Sequence, residues 1–142
     1  GKKTTALNKT LLSLSRIAKK KSIIFVISDF MTQEFTKPLK ILRRKHDVIA
    51  INMQDIREQD IPDVGYIELE DSETGEQILV DTSDKEFREN YAKLVREKNQ
   101  GLRKKLRKLN TDMILVRSDE SFEVPLKKFF ELRKRRMSRY RR

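Results

Sequence analysis

At 142 residues the chain has the length of one domain with room for a substantial core. It carries a net charge of +11 with 39% charged residues, has no cysteine and has one histidine, His46. Disulfides, thiolate metal sites, cysteine nucleophiles and a histidine-based triad are therefore excluded or left without partners, and no apolar run reaches the roughly 18 residues of a membrane span. The charge is segregated. Between Asp55 and Glu89 thirteen carboxylates face only Arg57, Lys85 and Arg88, a local net of −10, so the remaining residues carry +21. Such separation suits docking to a partner as well as it suits a polyanion. The cytoplasm is the expected compartment.

In chain order, residues 5 to 20 predict an amphipathic helix. Leu7, Leu11, Leu14, Ile17 and Ala18 form its stripe, Thr4 or Thr5 is its N-cap, and Lys19, Lys20 and Lys21 suit its C-terminal end. The next stretch organises the rest. Ile23-Ile24-Phe25-Val26-Ile27 is apolar without alternation, which predicts a strand covered on both faces, within a parallel sheet. In such sheets the ligand crevice lies at the carboxyl ends of the strands, where Ser28-Asp29-Phe30 follows. Asp29 there has two readings, a carboxylate capping the following turn and a metal ligand.

A second helix is expected with Pro38 in its first turn, then Leu39, Ile41 and Leu42 to Lys45, with His46 at its C-terminal end. A second buried strand, Val48 to Met53, completes a βαβ unit. Gln54 to Gly65 reads as an irregular acidic connection. Its carboxylates Asp55, Glu58, Asp60 and Asp63 lack the spacing of a calcium loop and read as a solvated surface. Ile67 and Leu69 alternate with Glu68 and Glu70, Ile78 and Val80 resume after a turn, and Asp71, Glu73 and Gly75 are turn chemistry. This is a β-hairpin, placed at about 64–81.

Ser83 and Glu86 have the form of a capping box. They open a long helix with the stripe Phe87, Tyr91, Leu94, Val95, Leu102, Leu106 and Leu109, where Gly101 marks a kink or break. Met113 to Val116 is a third short strand. Pro125 starts a last helix with Leu126, Phe129, Phe130 and Leu132, which runs into a basic end. Arg133, Lys134, Arg135, Arg136, Arg139, Arg141 and Arg142 are the anion-binding candidates, with Tyr140 as a stacking group. The domain spans 1–136 and the tail 137–142. No phosphate loop, G-x-S-x-G or H-E-x-x-H is present, so catalysis is not expected. Three parallel strands are few for so apolar a ribbon, so the natural protein is expected to continue N-terminally. Exposed strand edges in such a fragment would pair it into a homodimer.

The phrases "SIIFVISDF", "KHDVIAINMQDIREQDIPDVG", "LEDSETGEQILVDT" and "PLKKFFELRKRR" occur in unbroken order. Together they resemble the bacterial family called domain of unknown function 58, itself similar to the von Willebrand factor A domain, over about residues 5 to 136. The resemblance implies a partial, Rossmann-like α/β three-layer sandwich, with a mainly parallel sheet and the hairpin inserted after its second parallel strand. It also implies a metal-ion-dependent adhesion site, holding Mg²⁺ in the full-length protein. By that resemblance Asp29 matches the family's aspartate and Thr5 its threonine, with Thr4 the alternate register; the family's D-x-S-x-S element is absent, so the site is incomplete here. The implied role is a non-catalytic protein-interaction module working with a MoxR-type AAA+ ATPase. Nucleic-acid or anionic-membrane binding through the basic surface is the alternative.

Overall fold

In the computed structural model, residues 4–31, 35–71 and 74–139 are described, the first three by backbone alone. The chain runs α1 (Thr4–Ile17), β1 (Ile23–Ser28), α2 (Thr36–Lys45), β2 (Asp47–Gln54), β3 (Tyr66–Glu70), β4 (Gln77–Asp81), α3 (Lys85–Lys108), β5 (Asp112–Arg117) and α4 (Glu123–Arg139). A single 3₁₀ turn, Ile56–Glu58, lies in the acidic connection. Two sheets result. The larger is parallel in the order β1-β2-β5, and the smaller is the antiparallel hairpin β3-β4.

β2 is the centre of the larger sheet. Val48, Ile49 and Ala50 are almost wholly inaccessible, because a middle strand has hydrogen-bonded neighbours on both sides and helices on both faces. On one face Ile24, Val26, Val48 and Ala50 join Leu11 of α1, Leu39 and Leu42 of α2 and Leu106 of α3. On the other, Ile49, Ile51, Ile114 and Val116 pack under Leu126 and Phe129 of α4.

The expectation that the 23–27 strand is covered on both faces is not met. β1 is an edge strand with strict alternation: Ile24 and Val26 are buried, whereas Ile23 and Ile27 stay 63% and 65% exposed. The reason is coverage. α4 lies over β2 and β5, and it meets β1 where Phe130 packs edge-on against Phe25, with ring centroids 6.2 Å apart. An apolar run without polar alternation looks the same to a window of sequence whether one or both faces are covered.

Three local expectations also change. Asp84, not Ser83, caps α3: its Oδ1 accepts from the Glu86 and Phe87 N–H groups, while the Ser83 hydroxyl donates to Asp81 Oδ1. The helix runs unbroken through Gly101, since the hydrogen-bond ladder tolerates one glycine at a cost of about 1 kcal/mol. α1 ends at Ile17, so Lys19, Lys20 and Lys21 belong to the connection to β1. The hairpin is closed at its base by Thr82, fully buried, whose hydroxyl and N–H both donate to Gly65 O. Gly65 (φ 82°) and Gly75 (φ 73°) occupy left-handed conformations that a side chain would strain. Among the described residues no helix is long and apolar enough to cross a membrane.

Candidate functional site

Parallel strands all end on the same side, and the connection after each must turn away there. β1 leaves through a tight device. Ser28 Oγ accepts the Phe30 N–H at 3.0 Å, and Asp29 Oδ1 accepts the Met31 N–H at 3.2 Å. Phe30 has φ 51°, rare for a bulky side chain, and such a conformation persists only when its surroundings hold it. The hold is visible: the Phe30 ring is buried and packs edge-on against Phe35, 5.2 Å between centroids. The turn thereby lifts Asp29 to an exposed rim while its neighbour is sunk in the core.

Between this turn, the end of β2, the hairpin and α3 lies a cleft of about 360 Å³. Met31, Met53, Leu69, Tyr91, Val95 and Leu102 supply its apolar surface, and Asp29, Asp55, Glu58 and Glu70 its carboxylates. Among the described residues its one cation is Lys98, whose Nζ sits 3.1 Å from Met31 Sδ. The floor is braced by amides: Gln54 donates to Asn99 Oδ1 at 2.8 Å and accepts from Gln59. Tyr91 donates to Glu58 O at 3.0 Å, and burial, with Glu58 second, raises its pKa above the usual tyrosine value.

The carboxylates do not converge. Among the described residues no group of three His, Cys, Asp or Glu side chains is arranged to hold a metal ion. Asp29 Oδ1 is engaged by the turn, and magnesium asks for near-octahedral oxygen coordination. The described residues therefore do not fit a complete magnesium site. The side chains of Thr4 and Thr5 lie outside the described residues. What the arrangement offers chemically is an acidic rim around a methionine-rich floor, a surface that adapts to apolar groups and attracts cations.

His46 is remote from this cleft. It caps α2 at the amino end of β2, 2% exposed, with neither ring nitrogen hydrogen-bonded among the described residues. Asn52 is a residue the pattern did not single out. It lies buried in β2 opposite Ser28, and its Oδ1 has no partner among the described atoms. A lone asparagine inside an apolar strand was the available signal.

The basic end divides in two. Arg133 is partly buried, bonded to Asp47, 3.8 Å from Asp112, and over the Phe129 ring at 5.9 Å. Arg136 lies 3.5 Å from Asp112. Lys134, Arg135 and Arg139 are exposed on α4, while Tyr140, Arg141 and Arg142 lie outside the described residues.

The family profile described as "Protein of unknown function DUF58" matches residues 1–101. An uncharacterized protein of Mycobacterium avium is 27% identical over 124 residues, covering 87% of this chain and 73% of that protein. Uncharacterized proteins of Mycobacterium bovis and Mycobacterium tuberculosis are each 26% identical over 125 residues, and the chain spans 39% of their length. No solved structure matches.

Proposed function

Because the chain belongs to the DUF58 family of proteins of unknown function, its role has to be read from its surfaces, and we propose that it is a non-catalytic protein-interaction module. In this reading the fold is a partial von Willebrand factor A-like sandwich, and the partner is the MoxR-type AAA+ ATPase that the family resemblance implies. The partner contributes a segment that is apolar with basic flanks, and this segment occupies the cleft above β1 and β2. The observation that carries the reading is the cleft's composition among the described residues, with Met31 and Met53 on its floor and Asp29, Asp55, Glu58 and Glu70 against Lys98 around them. The strained Phe30 turn supports it, since strain of this kind clusters at ligand clamps.

Binding of the purified ATPase to the wild-type chain, Asp29→Lys and Met53→Glu tests this. Both positions are exposed, so the fold should tolerate the changes. The expected result is at least tenfold weaker binding by each variant, and affinity unchanged in both would refute the cleft. Mg²⁺ bridging would need ligands beyond those described. Affinity for this chain is accordingly expected to be the same with Mg²⁺ and with EDTA.

Nucleic-acid or anionic-membrane binding through Lys134, Arg135 and Arg139 is the second reading, favoured by their exposure on α4. It stands behind the first because Arg133 and Arg136 are already paired with Asp47 and Asp112. An affinity falling linearly with salt on logarithmic axes, with a smaller slope after Arg135→Gln and Arg139→Gln, would promote it.

A further inference from the structure

A second groove, of about 840 Å³, runs along the outer edge of β5 between α3 and α4. β5 ends the sheet, and none of the described segments pairs with that edge. The Ser118 N–H donates to Gln54 O at 2.9 Å, which fixes the alternation of the parallel ladder. Met113 and Leu115 therefore turn both amide and carbonyl away from β2, toward the groove. An edge of this kind is a template for another strand.

The walls say what kind of strand. On the α3 side stand Arg103 and Arg107, and on the α4 side Lys128 beside Phe129 and Leu132. Among the described residues no carboxylate lies within ion-pair distance of Arg103, Arg107 or Lys128. Asp112, the groove's own acid, is already matched by Arg133 and Arg136.

We propose that this groove receives an extended acidic segment of a partner protein, which adds to β5 as a fourth strand. Side chains of an added strand alternate between the two walls. Carboxylates on one alternation meet Arg103 and Arg107, and apolar groups on the other meet Phe129 and Leu132. A nucleic-acid backbone satisfies the cations but offers no matching ladder for the Met113 and Leu115 amides and carbonyls. The site is separate from the cleft above β1 and does not depend on it.

The test uses a fluorescent octapeptide of alternating valine and glutamate. Anisotropy measures its binding to the 142-residue chain, and hydrogen exchange follows the Met113 and Leu115 amides. The expected result is binding that slows exchange at both amides and weakens at least tenfold in the Arg103→Glu/Arg107→Glu double variant. Lys128→Glu, on the opposite wall, is expected to weaken it several-fold. No binding, binding that leaves those amides unprotected, or equal binding of the lysine-for-glutamate peptide would overturn the proposal. So would an oligothymidylate of equal charge that protects the same amides.

Discussion

Ile23 and Ile24 are identical in chemistry and adjacent in sequence, yet one is exposed and the other packs against Leu11 and Leu39 in the core. Ile24→Ala is expected to cost about 2–5 kcal/mol and Ile23→Ala within about 0.5 kcal/mol, read from urea unfolding midpoints. Equal costs would mean that both faces of β1 are covered. Tyr91 makes a prediction in pH. Its pKa is raised by burial first and Glu58 second, so folding favours the neutral phenol. Its contribution is fully present below the ordinary tyrosine value of about 10 and is lost as pH rises through the higher folded value. The absorbance titration of wild type minus that of Tyr91→Phe should have its midpoint above 10, and a midpoint at or below 10 would contradict the burial. The exposed acid Asp29 was legible in the sequence because it follows an apolar run. Phe30 was not, because its left-handed turn depends on Phe35, five residues away at the start of α2.

At the scale of elements, hydrophobic period and turn chemistry placed the four helices and five strands of the described residues to within a few residues. What they could not place was coverage. The apolar run of β1 and that of β2 look alike, and only the strand order and the reach of α4 make one an edge and the other a centre. The α3 cap went to Asp84 for a similar reason: Ser83 had a nearer partner in Asp81. Gly101 sits inside α3 with nothing within 4 Å of where a Cβ would be. Gly101→Ala should therefore stabilise the chain by about 0.5–1 kcal/mol, seen as a rise of a few degrees in Tm. A fall would point to a kink that the unbroken helix does not have.

Across the whole molecule the charge segregation read from composition acquires a geometry. The acidic stretch from Asp55 to Glu89 builds the hairpin and part of the wall of the cleft above β1 and β2, whereas Arg103, Arg107 and Lys128 line the open edge of β5. Two surfaces of opposite sign on one small sheet fit two segments of opposite character, which a net charge of +11 conceals. Sequence alone ranked the basic end first among anion sites. The fold instead ties Arg133 to Asp47 at the amino end of β2, 86 residues away, and Arg136 to Asp112 at the amino end of β5, pairings that no local pattern announces.

If a protein partner sits on the rim carrying Asp29, amide hydrogen exchange on the chain with and without the proposed MoxR-type ATPase will register it. The expected result is slowed exchange at Phe30, Met31 and the α3 turn around Val95 and Lys98, with the exposed turns of α4 unchanged. Slowing confined to α4, with the amides around Asp29 exchanging as before, would contradict it.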